Sequence, residues 1–172
     1  VEIIQRVAMG ESSYVNPEMQ GHFKLNSLFG SAPTRKAIAD GRADFTPSFI
    51  SEIPGLFLSG KIPIDVALIA ITPPDNHGYC SLGISIDYTI QAARAAKIVI
   101  AQVNPNMPRT YGDTLLHVSE IDYFAPAEEP LIVLDRPVIG PAEKQIGMNV
   151  ASLIEDGATL QLGIGSIPDA IL

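Results

Sequence analysis

Along the chain, short β-rich apolar runs alternate with stretches whose apolar residues recur at helical spacing. Residues 1–9 predict a strand, and 33–41 a helix closed by Gly41. Residues 45–50 form a weaker extended stretch. Residues 51–60 predict a short helix with Ser51 as N-cap and Glu52 in its first turn. Residues 65–71 are almost continuously apolar, as in strands covered on both faces, and Ile98–Val103 predicts the next buried strand. The helix expected at 87–97 lies between them, so this stretch predicts a parallel, right-handed crossover unit. A further strand is expected at 117–124. Residues 125–141 collect Pro126, Glu128, Glu129, Pro130, Pro137 and Pro141 and predict an exposed connection with a short extended piece at 131–134. An amphipathic helix is expected over 141–156, with Ile146, Val150, Leu153 and Ile154 on one face and Gly157 as its stop. A strand at 159–162 then runs into Gly163-Ile164-Gly165-Ser166, followed by a helix with Pro168 near its first position. The pattern is that of an α/β protein.

Totals narrow the function classes. With 172 residues the chain has the size of one domain, and 47% hydrophobic against 17% charged residues is a globular composition. The net charge of -8 and eleven scattered basic residues exclude a nucleic-acid partner, which would need clustered Lys and Arg. A small anion remains open, because backbone N–H groups bind phosphate without net positive charge. The single Cys80 fits a reducing compartment. The longest strongly apolar run, 66–71, is too short to cross a bilayer, and no charged leader opens the sequence, so a cytoplasmic protein with no membrane partner is expected. The chain opens directly on a strand pattern and closes on the start of a helix, as expected of a piece of a longer protein.

Three loops carry candidate chemistry. Gly163-Ile164-Gly165-Ser166-Ile167-Pro168 joins an expected strand to a helix start, where free N–H groups suit an anion or a developing oxyanion. It lacks the third glycine of a dinucleotide fingerprint and the Lys-Ser/Thr of a phosphate-binding loop. On the pattern alone, an ordinary tight turn is the better reading. The second loop, Thr72-Pro73-Pro74-Asp75-Asn76-His77-Gly78-Tyr79-Cys80-Ser81, follows the 65–71 strand, at the end where open α/β sheets hold ligands. His77 with Cys80 suggests a thiol nucleophile, and Asp75 added to them a metal. No second close ligand pair supports a metal site, however, and a lone Cys among apolar residues is more often a buried small hydrophobe. A rigid turn that shapes a pocket is the better account. The third loop, Gln102 to Asp113, contains Asn104, Met107 and Arg109 between prolines that limit its freedom. Arg109 suits a phosphate or carboxylate, and a surface ion pair with Asp113 or Glu120 serves equally well.

In order and spacing these loops resemble the acetyl-CoA hydrolase/transferase family, and its 4-hydroxybutyrate branch through Ile167-Pro168-Asp169-Ala170. Asn16-Pro17-Glu18, Gly41-Arg42-Ala43-Asp44 and Ser51-Glu52-Ile53-Pro54 extend the resemblance over the whole chain. It implies an open, mostly parallel sheet flanked by helices, with residues 1–172 forming most of the family's amino-terminal domain. It implies a CoA-transferase that works through a glutamyl-CoA thioester, with Gly163, Ile164, Gly165, Ser166 and Ile167 as the CoA loop and Gln161 in a supporting role beside the reacting carbonyl or the catalytic carboxylate. Asn104, Met107, Arg109 and His77 are further CoA-side candidates. The nucleophilic Glu of the family corresponds to no residue here and is expected beyond Leu172, so the chain alone is expected to be inactive. The implied partners are acyl-CoA and short carboxylic acids in a homo-oligomer, with coenzyme A as substrate, no permanently bound cofactor and no metal. Three alternatives stay open: an acyl-CoA hydrolase of the same family, a non-catalytic CoA- or nucleotide-binding module, and, less favoured, a nicotinamide dehydrogenase.

Overall fold

The apolar runs near the start of the chain pair as parallel strands. In the computed structural model, which describes residues 1–135 and 137–172, β1 (Glu2–Gln5) pairs with β2 (Lys24–Ser27), and β2 with β3 (Asp44–Phe45), all parallel. β1 is shorter than the expected 1–9 because β2 offers only four partners. Past Gln5 the backbone turns to side chains, Arg6 N–H donating to the Tyr88 hydroxyl at 3.1 Å and Ala8 N–H to Ser31 Oγ at 3.3 Å. Helix α1 (Ala32–Ala39) covers this sheet through Ala37, which packs with Leu25 and Ala43.

Helix α2 (Ile53–Leu58) begins one residue later than its sequence suggests, with Glu52 at the cap position in place of Ser51. The Glu52 carboxylate instead accepts from Phe49 N–H at 3.1 Å, which holds the turn ahead of the helix. Ile53 and Phe57 pack with Leu28 against Tyr88, Ala92 and Ala95, joining this region to α3 (Thr89–Ala95).

The second parallel sheet has the order β4-β6-β8: β4 (Val66–Ile71), β6 (Ile98–Val103) and β8 (Tyr123–Pro126). A hairpin of β5 (Tyr79–Ser81) and β7 (Leu115–His117) lies beside it. The chain thus runs β4, β5, α3, β6, the crossover expected from its pattern. The main core gathers Ala67, Ile69, Ile71, Val99 and Ala101 from one sheet face with Cys80, Leu82, Ile90, Ala93, Leu116 and Ile121. The opposite face is open: Leu68 is 78% and Val66 44% exposed, so β4 alternates where burial on both faces was expected. The expected 117–124 strand is split. His117 and Glu120 close a capping box around a 3-10 turn, Val118–Glu120, which ends β7 before β8 starts.

These elements lie in one compact unit, Val1–Ile132, and a second unit spans Val133–Leu172. Residues 127–135 and 137–140 have no regular structure, while 125–126 of the expected connection belong to β8. The second unit contains α4 (Pro141–Ala151), shorter than the expected 141–156, and α5 (Ser166–Ile171). The two helices pack where Gly147 meets the Ala170 carbonyl too closely for any side chain. Among the described residues, no helix is long and apolar enough to cross a membrane.

Candidate functional site

In the first unit, the loops after β4 and β6 leave the carboxyl ends of two adjacent parallel strands. Asp75 organises the first loop. Its Oδ1 accepts from the backbone N–H groups of His77 and Tyr79, both at 2.9 Å, an Asx turn that explains why Asp-Asn follows the two prolines. Its Oδ2 takes Arg109 Nη2 at 2.6 Å, while Arg109 Nη1 donates to the Tyr79 carbonyl at 3.2 Å. The Tyr79 N–H most of all, then the His77 N–H and the Arg109 charge, hold the Asp75 carboxyl below its ordinary 3.8 against the opposing effect of burial. Arg109 therefore has a different partner from the Asp113 or Glu120 expected from sequence, and Glu120 pairs instead with Arg94 at 3.2 Å.

A second fastening lies deeper. Ser81 is fully buried, and its hydroxyl accepts from the N–H groups of Gly83 and Thr110, both at 3.1 Å, and donates to the Thr110 carbonyl at 3.0 Å. Thr110 Oγ1 returns a bond to the Gly83 carbonyl at 2.8 Å. A third contact is steric. A Cβ built on Gly83, at φ +59°, would strike the Met107 side chain and lie 2.9 Å from the Pro108 carbonyl.

The third loop is braced by its own backbone and by the segment at Glu129. Asn104 is buried, its Nδ2 donates to the Glu129 carbonyl at 2.8 Å, and its Oδ1 accepts from Asn106 N–H at 3.0 Å. Its amide is thus engaged at both ends by backbone, and Met107 is buried against Gly83. His77 is exposed, whereas Cys80 is fully buried within the main core. The two do not form a nucleophile pair, and Asp75, His77 and Cys80 do not converge on a common point. Burial pushes the Cys80 thiol pKa up, so it stays protonated at neutral pH.

In the second unit the glycine loop is differently built. The strand expected at 159–162 does not form; Leu160 is half exposed and the segment has no regular structure. A strand needs a neighbour to pair with, and among the described residues none lies beside it. Gln161 is exposed, its Nε2 donating to the Leu162 carbonyl at 3.2 Å. Gly165, at φ +131° and ψ 177°, is the cap of α5, and its carbonyl accepts from Asp169 N–H at 3.1 Å. Pro168 stands third in the helix, later than expected but still in the first turn, where its missing N–H leaves no helical bond unmade. Gly163, Ile164 and Ile167 are exposed, and among the described residues the N–H groups of 163–165 donate no hydrogen bond. Sequence reasoning did not find Asp75 as the partner of Arg109, nor Ser81 and Gly83; the glycines and hydroxyls around β5 were the available signal.

The acetyl-CoA hydrolase/transferase N-terminal domain model matches residues 1–135. The chain belongs to the acetyl-CoA hydrolase/transferase family. It is 57% identical over all 172 residues to a 4-hydroxybutyrate coenzyme A transferase of Clostridium kluyveri, 40% of whose length it covers. It is 46% identical over 163 residues to a succinyl-CoA:acetate/propanoyl-CoA:succinate CoA transferase of Fasciola hepatica, covering 94% of this chain and 34% of that protein. The crystal structure of 4-hydroxybutyrate CoA-transferase from Porphyromonas gingivalis superposes with a TM-score of 0.71 at 34% identity, over 99% of this chain and 46% of that one. RipA from Yersinia pestis superposes with a TM-score of 0.81 at 33% identity, over 92% and 38%. This member of the acetyl-CoA hydrolase/transferase family therefore spans about two-fifths of the length of the relatives it matches. The open, mostly parallel sheets flanked by helices are the fold it shares with them.

Proposed function

We propose that the protein carrying this chain is a CoA-transferase that moves CoA between short carboxylic acids of the 4-hydroxybutyrate, butyrate and acetate type. The observation behind this reading is the 57% identity, over all of the chain, to a protein named for 4-hydroxybutyrate. In the proposed reaction an enzyme glutamate beyond Leu172 attacks the acyl-CoA carbonyl and releases CoA thiolate, leaving a mixed anhydride. The thiolate then attacks the glutamyl carbonyl, forming glutamyl-CoA and freeing the first acid, and the second acid reverses both steps. Residues 1–172 make up most of the amino-terminal domain in this reading. Gly163 to Ile167 approach the CoA thioester by backbone, and Gln161 supports the reacting carbonyl. Coenzyme A enters as substrate, the protein acts as a homo-oligomer, and the buried free thiol of Cys80 supports a cytoplasmic location.

A hydrolase is the second reading, favoured by the family's own description, which names both activities. The two differ in whether water reaches the glutamyl thioester. The test uses the full-length protein, incubated with acyl-CoA alone and then with borohydride. One glutamate beyond Leu172 is expected to be reduced and activity lost, with ping-pong kinetics between acyl-CoA and acid. Sequential kinetics with no reduced glutamate would exclude the covalent route. Release of free CoA without an acceptor acid, at the transfer rate, would favour the hydrolase.

A further inference from the structure

We propose that Asp75 and Arg109 are a positioning pair that holds the His77–Gly78 tip in place at the carboxyl ends of β4 and β6, Arg109 acting through Asp75 and not on the phosphates of CoA. The inference rests on the CoA-thioester reading for its kinetic consequences, though not for its geometry.

Four observations carry it. The pair links residues 34 positions apart, so it ties together two loops that leave neighbouring strands. Both side chains are partly shielded, at 27% and 35% exposure, which sets the pair apart from fully solvated ion pairs. Both polar ends are engaged: one Asp75 oxygen closes the Asx turn while the other meets the guanidinium, and the guanidinium forks between Asp75 and the Tyr79 carbonyl. Finally, the loop so fixed keeps Asn76 and His77 exposed at the strand ends, where open α/β sheets hold ligands. Two of the guanidinium's donors are committed to Asp75 and the Tyr79 carbonyl in one planar fork, a geometry that a lysine ammonium matches less well.

The test is a double-mutant cycle in the full-length protein with Asp75→Asn, Arg109→Met and the double variant, and with Arg109→Lys as conservative rescue. Asn keeps the acceptor for the Asx turn and removes only the charge. Amide hydrogen exchange over residues 75–81 is expected to quicken about tenfold in each single variant, no further in the double, and less in Arg109→Lys. Turnover is followed with acyl-CoA and with the matching acyl-pantetheine, which has no nucleotide phosphates. The kcat/KM per folded molecule is expected to fall by the same factor for both donors in each single variant, and no further in the double. If Arg109→Met loses activity with acyl-CoA only, Arg109 is a phosphate ligand and the proposal is overturned. It is equally overturned by additive losses, or by faster exchange with unchanged kcat/KM per folded molecule, which would make the pair merely structural. If the parent protein turns over neither thioester, the CoA reading fails, and the exchange cycle alone decides the pair, unchanged exchange overturning it.

Discussion

The loops between residues 72 and 114 and the loop between 161 and 167 were expected to play similar parts, yet they are held in opposite ways. In the first region three polar side chains bridge separate segments: Asp75 to Arg109, Ser81 to Thr110, and Asn104 to the Glu129 carbonyl. In the second, Gln161, Ile164 and Ile167 are exposed, and the turn into the helix runs through a glycine at φ +131°. Internal bonding gives a loop shape, and fixed shape lets a ligand bind without first ordering the protein. Unengaged backbone gives a loop contact, because N–H groups without acceptors are free to receive one. The comparison therefore sets a cross-bonded region against one whose N–H groups at 163–165 donate to no acceptor among the described residues.

The variant expected to have the largest effect on this comparison is Gly165→Val. A Cβ there meets nothing closer than Pro168 Cδ at 4.0 Å, so internal clash is not the obstacle. The obstacles are a φ that side chains rarely adopt and, in the CoA reading, the space taken from the ligand. Turnover of the full-length protein is expected to fall about 100- to 1,000-fold, the usual cost of one lost oxyanion donor, while the backbone strain lowers the melting temperature by only several degrees. Melting temperature and activity per folded molecule, measured on the same sample, check this. Normal activity per folded molecule with a lowered melting temperature would make the loop a structural turn and remove the contrast between the regions.

Gly83→Ala probes the other side of the contrast. Here the added methyl meets the Met107 side chain and the Pro108 carbonyl, and the φ of +59° adds strain. Overpacking of this kind costs about 1–3 kcal/mol, and left-handed backbone about 1 kcal/mol more. The melting temperature is expected to drop by several degrees, with activity changing far less than in Gly165→Val. A thermal denaturation scan of the two variants side by side decides. If Gly83→Ala melts like the parent, the packing of the two loops is looser than the structure describes.

What the sequence makes legible follows the same division. Ile98–Val103 matches its expected bounds because a run of β-branched residues between a helix and a polar loop has one outcome once β4 lies alongside. The expected strand at 159–162 fails because pairing is a property of neighbours, which no local pattern records. The break inside 117–124 depends on the His117–Glu120 box, a local signal that alternation of apolar residues hides. The Asp75–Arg109 and Ser81–Thr110 contacts span 34 and 29 positions and leave no periodic trace. The motifs that carry the family resemblance are local and legible in the sequence, while the partners that hold these loops emerge only from the fold.

The smallest effect is expected at Cys80, the residue whose chemistry is most conspicuous in the sequence. Its side chain is fully buried in the main core, with Leu116 as its register partner on β7. Burial keeps the thiol protonated, so it presents neither a nucleophile nor a metal-ligating thiolate at neutral pH. The fastening of the two loops uses its neighbour Ser81, not Cys80 itself. Cys80→Ser replaces the thiol by a hydroxyl in apolar surroundings, which costs about 1–3 kcal/mol if the hydroxyl finds no partner. The full-length variant is therefore expected to melt a few degrees lower and to keep turnover per folded molecule within about twofold of the parent. Assaying initial rates well below the melting transition separates the two quantities. A loss of several orders of magnitude in a folded Cys80→Ser protein would restore the thiol-nucleophile reading, and the first region could then no longer be described as scaffold alone.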